Sequence, residues 1–288
     1  MILIFTLKVK NYKNEIYELT HNYDRYYIKS ISGLTPPPTT INTSVGGIHD
    51  GSYYNSSRLQ QRNIVITIGL RGEIEVNRQR LYSVFPLKKE CTLFYKNQNR
   101  DVKIRGYVET LEADIFVYQE EVQVSIICPG TYFEGVSAIK GEIRKVQPLF
   151  EFPFSINRPI PFGNIYDRPL CVLDNIGDVE CGCIFSFHFY EYTNFLRITN
   201  EVTHEYMDLK HAGFCEGDEL YINTNFGDLR IILYRYDGEK MNLLPFLKND
   251  SSWIHLEQGI NKLSFSISEG HYDGLSAKVE YTPLYGGV

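Results

Sequence analysis

The chain has 288 residues, 43% of them apolar, which is enough for two ordinary cores and argues against disorder. Its formal net charge is −6, and its densest basic stretch, Lys140 to Lys145, is interrupted by Glu142. Tracking nucleic-acid phosphates requires a basic footprint and a polybasic membrane anchor requires a cationic cluster, so neither activity is expected.

The first residues alternate, with Leu3, Phe5 and Leu7 opposed to Ile4 and Thr6, and predict a first strand. They lack the charged n-region and small-residue cleavage site of a signal peptide, and no window approaches the ~20 apolar residues of a membrane span. The expectation is a soluble protein made in a cytoplasm. Six cysteines are too sparse for a disulfide scaffold at this length, so reduced thiols are the default. Residues 33–57 hold Pro36, Pro37 and Pro38, then Thr, Ser, Asn and Gly without clear periodicity. Loops beyond ~15 residues usually carry function, dock or are disordered. Two readings stand: a flexible surface loop, and an arm ordered against a neighbouring subunit.

Period-2 alternation then resumes. Ile64, Ile66, Ile68 and Leu70 share one strand face, as do Val122, Val124, Ile126 and Cys128. Between them Asn77 is placed to cap a short helix running through Phe85, with Leu81, Val84 and Phe85 on one face and Pro86 as the stop. From Pro129 to Phe154 the strands give way to Gly130, Gly135, Gly141, Pro148 and Pro153, which places the domain boundary near residue 148. The expected domains are therefore 1–148 and 149–288. In the second, Leu229, Ile231 and Leu233 alternate with Arg230, Ile232 and Tyr234, and Leu263 with Phe265 and Ile267, and Ala277 with Val279 and Tyr281, alternate with polar neighbours. Gly227-Asp228 and Asp237-Gly238 supply turn signals. This is a mainly β chain, with a β-sandwich in its C-terminal half.

Catalytic and metal patterns are scarce. The chain has no G-x-S-x-G elbow, P-loop or G-x-G-x-x-G fingerprint. His204-Glu205 opens a zinc-protease pattern, but Asp208 stands where the second histidine belongs. Cys181 and Cys183 lie two apart beside a β run and so face one way; buried packing explains them better than zinc, whose knuckles use C-x2-C. Spacing singles out no pair among 35 acidic residues as a glycosidase dyad. No cofactor and no catalytic residue is expected. Trp253, the sole tryptophan, reads either as a core or edge aromatic, the commoner case, or as a platform for a sugar ring.

A run of weaker signals carries a resemblance. In the first half these are Ile28 through Leu34, the Pro36–Pro38 segment, Asp50-Gly51, Arg62-Asn63-Ile64, Phe85-Pro86, Arg105 through Glu109 and Ile127-Cys128-Pro129. In the second they are Asn175 through Asp178, Gly217-Asp218, Tyr221 through Thr224, Asn242 through Pro245, Ser252-Trp253, Gly259-Ile260-Asn261 and the ending Tyr281 through Val288. Their order and spacing resemble the phage distal tail protein family. Gly130-Thr131 departs from it, since the family commonly has an acidic residue and a second proline there.

The resemblance implies an N-terminal β-barrel or sandwich-like ring domain with one short helix, and a C-terminal galectin-like β-sandwich. It implies a non-enzymatic structural component of the virion tail tip, assembled in the host bacterial cytoplasm. Six copies would form a ring joining the tail tube to the tail-tip protein, near the tape-measure protein and with receptor-binding proteins as further partners. Ring closure needs two different complementary patches on each subunit, here expected from residues 33–57 and 102–118. The alternative readings are a carbohydrate-binding module for host cell-wall glycans, with Trp253 as the sugar contact, and a β-sandwich glycoside hydrolase.

Overall fold

The structure, a computed structural model, describes residues 5–20, 24–47, 50–148, 163–267 and 274–288. It divides into two compact units, residues 1–136 with 284–288, and residues 137–283.

In chain order, unit 1 contains β1 (Thr6–Lys10), β2 (Ile16–Glu18), β3 (Tyr26–Ser32), β4 (Thr39–Ser44), β5 (Tyr53–Leu59), β6 (Arg62–Leu70), α1 (Ile74–Val84), β7 (Glu90–Lys96), β8 (Asp101–Ala113), β9 (Glu121–Cys128) and β10 (Phe133–Gly135). The main sheet runs β2-β1-β7-β8-β9-β6-β3, and every neighbouring pair is antiparallel. The alternating residues meet as anticipated: Ile64 pairs with Ile126, Ile66 with Val124 and Ile68 with Val122, all buried. Each fully buried side chain of this kind contributes roughly 1.5–3 kcal/mol. The predicted first strand begins at Thr6, with Leu7 and Val9 inward; Leu3 lies outside the described residues.

Helix α1 starts ahead of Asn77. Gly72, in the left-handed region at φ +64°, turns the chain so that the helix begins at Ile74. Asn77 lies inside it, buried, and its amide donates back to the Arg71 carbonyl at 2.7 Å. The side chain that read as a cap instead ties the helix to the preceding turn. Leu81, Val84 and Phe85 are buried as expected, and Pro86 follows the last turn.

Unit 2 contains β11 (Ile139–Pro148), β12 (Gly163–Asn175), β13 (Cys183–Phe189), β14 (Thr193–Asn200), β15 (Tyr206–Phe214), β16 (Glu219–Asn223), β17 (Arg230–Tyr234), β18 (Lys240–Asn242), a 3₁₀ turn at Leu244–Phe246, β19 (Gly259–Ser266) and β20 (Leu275–Tyr281). Strand β11 serves two sheets. Its first half pairs with β20 in the order β11-β20-β13-β16-β17-β18, and its second half pairs with β12 in the order β11-β12-β19-β14-β15. The inner faces meet through Phe187 edge-on to Phe265 at 6.0 Å and Phe189 stacked on Phe214 at 4.7 Å. The expected turns fall at Gly227 and Gly238, both at positive φ.

The chain finally returns to unit 1 as β21 (Leu284–Tyr285), which pairs with β10. Unit 2 is thus an insertion between two paired strands, and the chain crosses between units twice. The first crossing falls at 136/137, ahead of the cut expected at 148, because Ile139–Ile143 is already committed to β20. The mainly β class and the single α-helix among the described residues agree with the sequence reading.

Candidate interaction surfaces

Arg62, at the start of β6, is almost wholly buried and stacks on Phe133, with the guanidinium carbon 4.5 Å from the ring centre. Its Nη1 donates to the carbonyls of Gly33 (2.5 Å) and Thr35 (2.6 Å), and its Nη2 to those of Thr131 (3.0 Å) and Gly286 (2.6 Å). Burial pushes its pKa down from the ordinary value, yet a guanidinium stays protonated in proteins. One planar fork therefore binds the entry to β4, the turn before β10 and the end of β21. Arg100 adds a hydrogen bond to Gly287 O and lies over Tyr285.

The Pro-rich segment that follows Gly33 is a hairpin, not a loop. Strands β4 and β5 pair only with each other among the described residues. Cross-strand bonds such as Asn42 Nδ2 to Ser56 Oγ (3.0 Å) hold it, and Ile41, Tyr53 and Tyr54 stand exposed. An isolated two-stranded hairpin is marginally stable in water, so its apolar surface calls for a partner. A second exposed feature is the β8–β9 connection. Phe116 and Tyr118 are 98% and 99% exposed, flanked by Ile115 and Val117, and Phe116 holds φ +72°. A bulky side chain kept in the left-handed region and in water is costly in a free subunit. Of the two regions expected to make subunit contacts, both thus present apolar surface. Arg62 carried no functional signal in the sequence, because its four acceptors are backbone groups far apart in the chain.

In unit 2, Cys181 and Cys183 are buried and free, and burial pushes both thiols up to about 12. The Cys183 amide donates to Thr224 Oγ1 at 2.9 Å. His204 sits in a turn at φ +60°, away from any helix, and Asp208 is engaged by cations. Arg197 donates to both Asp208 oxygens (2.6 and 2.7 Å) and Lys248 Nζ to one (3.1 Å). Burial alone would raise the Asp208 pKa, but these hydrogen bonds outweigh it and hold the carboxyl below its ordinary value. Among the described residues no group of three or more His, Cys, Asp or Glu is placed to hold a metal. Trp253 is half-buried in the segment between the 3₁₀ turn and β19. It does not line the cavity of about 660 Å³ in unit 2, whose walls include Lys140, Glu142, Ser186, Lys278 and Glu280. No helix among the described residues is long and apolar enough to cross a membrane.

Residues 176–285 match the family described as siphovirus-type tail component, C-terminal domain. The crystal structure of SPP1 Dit (gp 19.1), described as a paradigm of the hub adsorption apparatus in Gram-positive-infecting phages, matches over 98% of this chain and 99% of its own, at 12% identity and a TM-score of 0.66. A chain of the phage P2 baseplate in its activated conformation with Ca matches over 96% of this chain and 98% of its own, at 10% identity and a TM-score of 0.49. No curated protein sequence matches the chain. The resemblance read from residue order is borne out by the family over 176–285 and by the SPP1 Dit fold over nearly the whole length.

Proposed function

We propose that this chain is a non-enzymatic distal tail hub protein of a phage or prophage virion. The observation that carries this reading is a siphovirus-type tail component domain inside a chain that follows the SPP1 Dit fold from end to end. Six copies close into a ring through unit 1, joining the tail tube to the tail-tip protein, with tape-measure and receptor-binding proteins as neighbours. The subunits are made and assembled in the host cytoplasm. Unit 2 is the galectin-like sandwich, and units 1 and 2 are the ring and accessory domains of the hub. The exposed β4–β5 hairpin and the Phe116–Tyr118 tip supply two distinct apolar patches, as a closed heterologous ring requires.

The deciding measurement is the solution mass by light scattering, with negative-stain images of the same sample. A sixfold mass and rings with a central channel are expected. A monomer at every concentration tested, also in the presence of purified tube protein, would overturn the reading.

A further inference from the structure

Unit 1 carries a basic groove, although the chain has a net charge of −6. The groove, of about 660 Å³, lies over β1, β7 and β8 and is lined by Lys10, Lys89, Lys103 and Arg105, with Glu90 as the one carboxylate among the described lining residues. Of these four cations only Lys103 is in a salt bridge among the described residues, with Glu134 at 3.8 Å. Tyr12, Phe94 and Val136 give the same groove an apolar wall, and Lys89 Nζ stands 5.7 Å from the centre of the Tyr12 ring. Backbone bonds fix the rim. The buried Asn11 side chain accepts from the Lys13 (2.9 Å) and Glu15 (3.0 Å) amides and so sets the turn that carries Tyr12. The Lys88 amide donates to Val108 O (2.9 Å) and the Val108 amide to Lys89 O (3.2 Å), which ties the Lys89 segment to β8. Like charges held together on a fixed frame repel one another and favour an anionic occupant.

The same unit exposes a segment of the opposite character. At the β8–β9 tip, the exposed carboxylates Glu112 and Asp114 lead into the exposed run Ile115 to Tyr118. Its roots are held: the Asp114 amide donates to Glu121 O (3.1 Å), the Leu70 amide to Glu120 O (3.0 Å), and Arg78 pairs with the Glu120 carboxylate. We infer that the basic groove receives the β8–β9 tip of a second copy of this chain, the tip carboxylates meeting Lys89 and Arg105 and its rings meeting the Tyr12 and Phe94 wall. This rests on the ring reading and names the surface on which the tip docks. Arg105 and Asp114 stand roughly 30 Å apart along β8, so a tip cannot enter its own groove. Contact between two unlike patches is head-to-tail, the type that closes into a ring. A phosphate polymer would use the cations and leave the aromatic wall in water, whereas the tip supplies both charge and apolar surface. Opposed charges of this kind set register and partner choice, and the buried rings add most of the affinity.

Charge reversal in the full chain tests this, with assembly followed by light scattering over a concentration series. The groove variant is Lys89→Glu/Arg105→Glu and the tip variant is Glu112→Lys/Asp114→Lys; all four side chains are exposed in the subunit. Each variant alone should raise the concentration at which half the chains are assembled at least about tenfold. The chain carrying all four substitutions should recover the ring, because its basic tip now meets an acidic groove. That recovery also shows that the fold tolerates every substitution, so loss in the two partial variants is loss of contact. A ring that forms in either partial variant as it does in the parent, or one that the combined variant fails to recover, would overturn the docking and leave the hub reading intact. A parent that never forms a ring would overturn the hub reading and the docking together.

Discussion

A single residue, Arg62, joins three segments that are not neighbours in the chain. Its replacement by Met would leave the carbonyls of Gly33, Thr35, Thr131 and Gly286 without their shared donor in a part-buried site. Each unsatisfied buried group costs about 1–3 kcal/mol, so a loss of at least about 3 kcal/mol from unit 1 is expected. Lysine should not restore it, since an ammonium cannot span two sides as a planar fork does. Amide exchange in β6 and β9 measures the effect, with the β19 and β20 amides as an internal reference. Asp208 is the corresponding residue of unit 2. Its carboxyl is depressed in the folded state, so its contribution is present above the unfolded value of ~3.9 and lost as pH falls through the lower folded value. Asp208→Asn should cost about 1.5–3 kcal/mol at pH 7, and its deficit should shrink on acidification below ~pH 4. Trp253, the only tryptophan, lies in unit 2 and follows that unfolding in urea by its fluorescence.

At the scale of elements, β4–β5 is the part whose stability depends most on a neighbour. Deleting residues 35–50 should abolish the ring while the Trp253 unfolding transition of unit 2 stays in place; an intact ring would rule the hairpin out as a subunit contact. Phe116→Ser should leave the monomer as stable as the parent or slightly more so, because it removes exposed apolar surface at a strained position, and should weaken assembly in a concentration series. These elements also show what the sequence could disclose. Alternation revealed β6, β9, β19 and β20 because each has one face in a core and one facing away. The same test is silent on β4 and β5, whose two faces are both in water, so Thr39–Ser44 and β5 as far as Ser57 read as loop. Asn77 misplaced the helix start because Asn favours caps on average, whereas here Gly72 makes the turn.

For the molecule as a whole, the governing feature is the insertion of residues 137–283 between β10 and β21. Removing residues 284–288 should destabilise unit 1, which loses β21 and the Gly286 carbonyl, and leave unit 2 near its parent stability; amide exchange resolved by unit distinguishes this from a uniform loss. The boundary was hard to place because glycines and prolines cluster on both sides of it, while the strand that settles it, β11, is ordinary in composition. The arrangement also sets the order in which the parts mature on the ribosome. Residues 1–136 are synthesised long before β21, so unit 1 waits through the synthesis of all of unit 2 for its last strand. A product terminated before Leu284 therefore carries nearly all of unit 1 yet lacks both β21 and the Gly286 carbonyl that Arg62 engages, so completion of the first unit is checked by the last residues made.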